Sequence, residues 1–156
     1  MKGLQSNKKR LNIINYLKGK GASNNIMFLQ ETHSTSKDEH IWKDDFQGDL
    51  FFSHGTSNSR GVLIGLFGFQ KFEIEHQLSD NYGRILILRV SLNDEKFVLI
   101  NFYNSNIESD QIKTIEELSK MMNSLNISET DKIIFSGDFI FFFDSKLEAF
   151  RGNPTF

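Results

Sequence analysis

The chain has 156 residues, a formal net charge of -2 and no cysteine. That length suits one domain with a core of its own and leaves no room for a second. The charge excludes a nucleic-acid coat protein that binds through many phosphate contacts, though not an enzyme that touches a backbone through a few Arg and Lys, and the lack of cysteine excludes disulfide staples and thiolate metal sites.

From Lys8 to Lys18 the apolar residues Leu11, Ile14 and Leu17 recur every third position, which predicts a helix that Gly19-Lys20-Gly21 ends. The basic residues Lys2, Lys8, Lys9 and Arg10 precede no apolar h-region and no membrane-length apolar run follows, so the chain reads as intracellular. Asn126-Ile127-Ser128 matches a glycosylation sequon, which in a chain without an export signal reads as chance. A strand is expected at Ile26 to Leu29, then a short helix over Ile41 and Trp42 opened by the capping-box spacing Ser36-Lys37-Asp38-Glu39. Five apolar runs follow at 50–52, 62–67, 72–75, 85–90 and 97–102, separated by turn-rich segments such as Asp80-Asn81-Tyr82-Gly83. A second long helix is expected from Ser109 as cap, with Ile112, Ile115, Leu118 and Met122 on its apolar side, and a last strand at Ile133 to Ser136. Consecutive hairpins flanked by βα units imply an α/β (α+β) fold, a layered sandwich of two mixed β-sheets with helices outside.

Glu31 directly follows the first apolar run and Asp138 directly follows the last. Strand ends hold side chains rigidly at the rim of a cleft, so these two carboxylates are the first candidates for chemistry. His33 reads as a surface loop residue, and His40, His54 and His76 show no metal-ligand spacing with it.

Four segments in order, Leu29-Gln30-Glu31-Thr32-His33, Ser59-Arg60-Gly61-Val62, Asn101-Phe102-Tyr103-Asn104-Ser105-Asn106 and Ser136-Gly137-Asp138-Phe139, resemble the successive motifs of the endonuclease/exonuclease/phosphatase superfamily. Within it the chain is most similar to the apurinic-type endonuclease domain of non-LTR retrotransposons. The resemblance implies one partial domain over residues 1–156, truncated at both ends and incomplete on the C-terminal side. It also implies Mg²⁺ (or Mn²⁺) held by Glu31, a phosphate-facing hydroxyl from Tyr103, a water-activating carboxylate from Asp138 and a substrate contact from Asn106. The expected reaction is nicking of DNA, with a C-terminal remainder of the domain and a reverse transcriptase in the parent protein and a nuclear location.

Three departures from the motif set point to little or no turnover by this chain alone. The chain starts after the position of the family's first Asn, Ile140 replaces the Asn of Gly-Asp-Phe-Asn, and the chain ends before the Ser-Asp-His motif. Each positioned group of that kind is worth about 10²- to 10⁴-fold in rate. The alternatives are a phosphatase or phosphodiesterase of the same superfamily acting on another substrate, and a non-catalytic module that keeps the fold and binds a partner. The window Phe139-Ile140-Phe141-Phe142-Phe143 is expected to aggregate unless covered.

Overall fold

The computed structural model describes residues 4, 6–18 and 24–139. Its elements run α1 (Asn7–Lys18), β1 (Asn25–Leu29), α2 (Glu39–Phe46), β2 (Asp49–Ser53), β3 (Val62–Phe67), β4 (Phe72–Ser79), β5 (Ile85–Leu92), β6 (Glu95–Tyr103), α3 (Glu108–Ser124) and β7 (Lys132–Asp138). The residues past the helix at 19–21 and the aromatic window at 140–143 lie outside the described residues.

The strands form two sheets, β1-β3-β2 and β4-β5-β6-β7. The first is antiparallel throughout, and only the second is mixed, because α3 carries the chain back over the sheet so that β7 lies parallel to β6. Side chains of a strand alternate between its faces, and here both faces of the central strands are covered. Val62, Ile64 and Leu66 of β3 meet Leu86, Leu88 and Val90 of β5 and Leu99 of β6 between the sheets. On the outer face of the first sheet Trp42 and Phe46 of α2 pack with Met27, Leu50, Phe52 and Leu63. On the outer face of the second, Leu118, Met121 and Met122 of α3 cover Ile85, Ile87, Val98 and Ile100. The result is an α/β/β/α sandwich.

Helix faces depart from expectation. In α1 Arg10 is the buried residue, its guanidinium 5.3 Å from the Trp42 ring centroid and its Nε donating to Asp45 Oδ2 at 2.8 Å, while Leu11 is exposed; Ile14 and Leu17 have no described side chains. The N-cap of α2 is Asp38, whose carboxylate accepts from Thr35 Oγ1 at 2.8 Å, so the Ser36 capping box does not form. The α3 cap is Ile107 rather than Ser109, and its buried face turns to Gln111 and Thr114, leaving Ile112 and Ile115 exposed. The cause is polar: Gln111 Nε2 donates to Ser105 O at 2.7 Å and Thr114 Oγ1 accepts from Arg84 Nη1 at 3.1 Å. These two hydrogen bonds, the first buried and the second partly so, fix the helix rotation that an apolar stripe alone would set differently. Among the described residues no helix is long and apolar enough to cross a membrane.

Candidate active site

Strand parity brings the site together. On β6, Leu99, Asn101 and Tyr103 share the face that looks at the first sheet, and on β7 Ile134, Ser136 and Asp138 share it too, because the parallel register pairs Leu99 with Ile134, Asn101 with Ser136 and Tyr103 with Asp138. Gly137 permits that register: opposite Phe102, a Cβ at this position would stand 1.9 Å from the Phe102 carbonyl oxygen. At the end of β1 the chain turns out of the first sheet, and the hydroxyl of Tyr103 donates to Glu31 Oε1 at 2.5 Å across the cleft.

Asn101 clamps the two sheets just below. It is fully buried, its Nδ2 donating to Leu29 O at 3.0 Å and Leu63 O at 2.8 Å while its Oδ1 accepts from Gln30 Nε2 at 2.6 Å. The loop carrying Glu31 has left-handed backbone at Glu31 (φ 51) and His33 (φ 56). Arg60 and Gly61 hold it: Thr32 N donates to Gly61 O at 3.0 Å and His33 N to Arg60 O at 2.8 Å. Gly61 itself has φ +93, and a Cβ there would meet Thr32 Oγ1 at 2.4 Å. His33 is buried rather than on the surface, since its backbone is tied inward on this loop.

Burial of its ring pushes the Tyr103 hydroxyl up to about 12, helped by the hydrogen bond to Glu31 and the negative charges of Glu31 and Asp138, and opposed by Arg84. Glu31 reaches this phenol by its hydrogen bond, and Asp138 lies beside it in the parallel register of β6 and β7. A hydroxyl so held is a donor at neutral pH and cannot serve as a base. Asn106 stands three residues further, exposed on the loop into α3.

Sequence reasoning passed over Arg84. Its carbonyl accepts from Tyr103 N at 2.8 Å, extending the sheet row to Arg84, Tyr103 and Asp138. Its guanidinium donates to Thr114 Oγ1 at 3.1 Å and Ser105 Oγ at 3.3 Å and lies 3.5 Å from Asp110 Oδ2. A groove of about 550 Å³ opens beside it, its lining balanced between the cations Arg60, Arg84, Lys113 and Lys120 and the acids Asp80, Asp110, Glu116 and Glu117. The sequence signal was the turn Asp80 to Gly83, where Asp80 Oδ1 accepts from the backbone N of Arg84 and of Ile85, both at 2.9 Å.

No cluster of three His, Cys, Asp or Glu side chains able to cage a metal occurs among the described residues. The donor set at the cleft still suits a hard cation that keeps waters and takes one or two carboxylates plus substrate phosphate. Glu31 is exposed, and its hydrogen bond with Tyr103 occupies one carboxylate oxygen, leaving the second without a protein hydrogen bond among the described residues.

No family model matches the chain. It is 31% identical over 134 residues to a transposon TX1 uncharacterized 149 kDa protein of Xenopus laevis, an alignment covering 86% of this chain and 10% of that protein. Solved structures that share its fold include an endonuclease/exonuclease/phosphatase family protein from Bacteroides thetaiotaomicron (TM-score 0.60, 15% identity), an AP endonuclease from Archaeoglobus fulgidus (0.59, 19%) and D. rerio TDP2 complexed with a single-strand DNA product (0.57, 16%). They cover 85%, 87% and 83% of this chain, which spans 53%, 54% and 52% of theirs. The chain has the fold of the endonuclease/exonuclease/phosphatase family. By sequence it is related to a transposon-encoded protein, of which it spans about a tenth.

Proposed function

We propose that residues 1–156 form part of one metal-dependent endonuclease domain that cleaves a phosphodiester of DNA, in the manner of a retrotransposon nicking enzyme. The observation that carries this reading is the meeting of Glu31, Tyr103 and Asp138 at one strand-end rim. The sequence relationship to a transposon protein and the fold shared with an AP endonuclease and a DNA-bound TDP2 support DNA as the substrate.

Glu31 would hold Mg²⁺ or Mn²⁺, which when bound supplies positive charge to the phosphoryl oxygens and the leaving oxygen. Asp138 orients the attacking water and accepts its proton, so that the hydroxide oxygen is in line with the leaving oxygen as the new P–O bond forms and the old one breaks. Tyr103 holds Glu31 in place and presents its O–H to a non-bridging phosphate oxygen. The Asn106 amide hydrogen-bonds the neighbouring phosphate. Ile140, an aliphatic side chain in the place of an amide, leaves the water and phosphate with one positioned partner fewer, which lowers turnover. A C-terminal remainder of the domain and a reverse transcriptase in the parent protein, acting in the nucleus, fit this reading.

The test is nicking of supercoiled plasmid with Mg²⁺ or Mn²⁺ by the purified chain. Slow, metal-dependent nicking lost in Glu31→Gln and Asp138→Asn is expected. Nicking that persists in both variants would defeat the assignment.

A further inference from the structure

A column of buried hydroxyls runs behind Glu31. Thr32 and Ser34 are both fully buried, and Ser34 N donates to Thr32 Oγ1 at 3.3 Å while the two hydroxyl oxygens lie 3.0 Å apart. Ser34 Oγ is 3.2 Å from His54 Nδ1, and His54 Nε2 is 3.3 Å from Glu39 Oε2. The His54 ring stacks on Phe52 with centroids 5.0 Å apart and planes 19° from parallel, which fixes its plane.

The hydrogens of this column can be assigned. Lys43 holds the Glu39 carboxyl below its ordinary range, against partial burial and with help from His54, so Glu39 is an acceptor at neutral pH. The neutral imidazole therefore carries its hydrogen on Nε2 and accepts on Nδ1. Ser34 O–H donates to Nδ1, Thr32 O–H donates to Ser34 Oγ, and Ser34 N–H donates to Thr32 Oγ1. Each hydroxyl hydrogen is used once, in one direction, from the Glu31 loop to α2. The same loop keeps two non-glycine residues, Glu31 and His33, in left-handed conformation, a strained backbone that persists only where surrounding contacts over-determine it.

We propose that His54 is a positioning residue for Glu31: by accepting from Ser34 it holds the Thr32 to Ser34 turn inward, and so keeps the Glu31 carboxylate against Tyr103. This rests on the reading of Glu31 as the cation and phosphate anchor. The Ser34, His54, Glu39 order is that of a nucleophile with its base and orienting acid, but a fully buried Ser34 meets no substrate, which leaves the column the task of orientation.

His54→Asn keeps a polar group where Nδ1 faces Ser34, whereas His54→Gln keeps one where Nε2 faces Glu39. The full chain, labelled with ¹³Cζ-tyrosine, gives three tyrosine signals, with Tyr103 assigned by Tyr103→Phe. The expected result is that His54→Gln and Ser34→Ala move the Tyr103 signal toward its position in Glu31→Gln and weaken Mn²⁺ binding by about 10-fold or more, the usual effect of losing a residue that orients a ligand, while His54→Asn retains both. Unmoved Tyr103 signals in His54→Gln and Ser34→Ala, even with a lowered melting temperature, would overturn the inference. So would equal effects in His54→Asn and His54→Gln. Should Glu31→Gln leave Mn²⁺ affinity unchanged, the metal reading fails by itself, and the Tyr103 signal still decides the role of His54.

Discussion

Replacing Asn101 by Leu removes the clamp between the sheets while roughly conserving side-chain volume. Three hydrogen bonds vanish, to Leu29 O, Leu63 O and Gln30 Nε2, each worth about 1 kcal/mol net. The carbonyls of Leu29 and Leu63 then face an aliphatic group inside the protein, and any left unsatisfied costs about 1–3 kcal/mol more. Added apolar burial offsets about 1 kcal/mol, so a net loss of about 3 kcal/mol is expected. That is a large share of the ~5–15 kcal/mol that holds a domain folded. With a urea dependence of about 2 kcal/mol/M, the unfolding midpoint should fall by about 1.5 M. Asn101→Asp, which keeps the shape but when ionised offers no donor to the two carbonyls, should do at least as much harm. Equilibrium urea unfolding followed by circular dichroism and by Trp42 fluorescence makes the measurement. A loss below about 1 kcal/mol for Asn101→Leu would show that the sheets are held by apolar packing alone and that the clamp is incidental.

Gly137→Ala should disrupt the β6–β7 pairing, since its Cβ would collide with the Phe102 carbonyl; a cost of at least about 1–3 kcal/mol is expected, read as lost amide protection on β7, and wild-type protection would refute the register. The Tyr103 hydroxyl makes stability pH-dependent at the alkaline end: its folded pKa of about 12 lies above the ordinary 10.0, so the folded state holds that proton more tightly. The contribution is fully present below about pH 10 and is lost as pH rises toward about 12, so alkaline unfolding curves of wild type should bend downward in that window more than those of Tyr103→Phe. Equal slopes would show that the phenol is not held by Glu31 and its surroundings. Arg84→Met should loosen the loop 104–106 from α3 by removing its bonds to Ser105 and Thr114; faster amide exchange at residues 104–107 is the measurement, and unchanged exchange would contradict the role.

The strands were legible because each is a short apolar run between turn residues, and the two carboxylates were legible because each follows such a run. Helix orientation was harder. The stripe expected in α3 holds at Leu118 and Met122 but fails at Ile112 and Ile115, where Gln111 and Thr114 turn inward to bond Ser105 and Arg84, and the burial of Arg10 in α1 depends on the Trp42 ring and on Asp45, 35 residues away. His33 read as a surface residue because nothing nearby in sequence tells of the Arg60 carbonyl that draws its loop inward. His54 showed no metal-ligand spacing in the sequence, and its partners in the fold, a serine and a glutamate 20 and 15 residues away, could not be read there.

By itself the sequence determined that strands lie at these apolar runs, because apolar periodicity and turn residues act over a few positions, and it thereby placed Glu31 and Asp138 near strand ends; the bounds were set by pairing, which carries β4 to Ser79, β6 to Tyr103 and β7 to Asp138. Only the tertiary structure decided that Tyr103 bonds Glu31 across 72 positions and that Asn101 ties β6 to Gln30 across 71. Such pairings follow from sheet register and strand parity, which close chain segments far apart in sequence, and no local pattern encodes the partner.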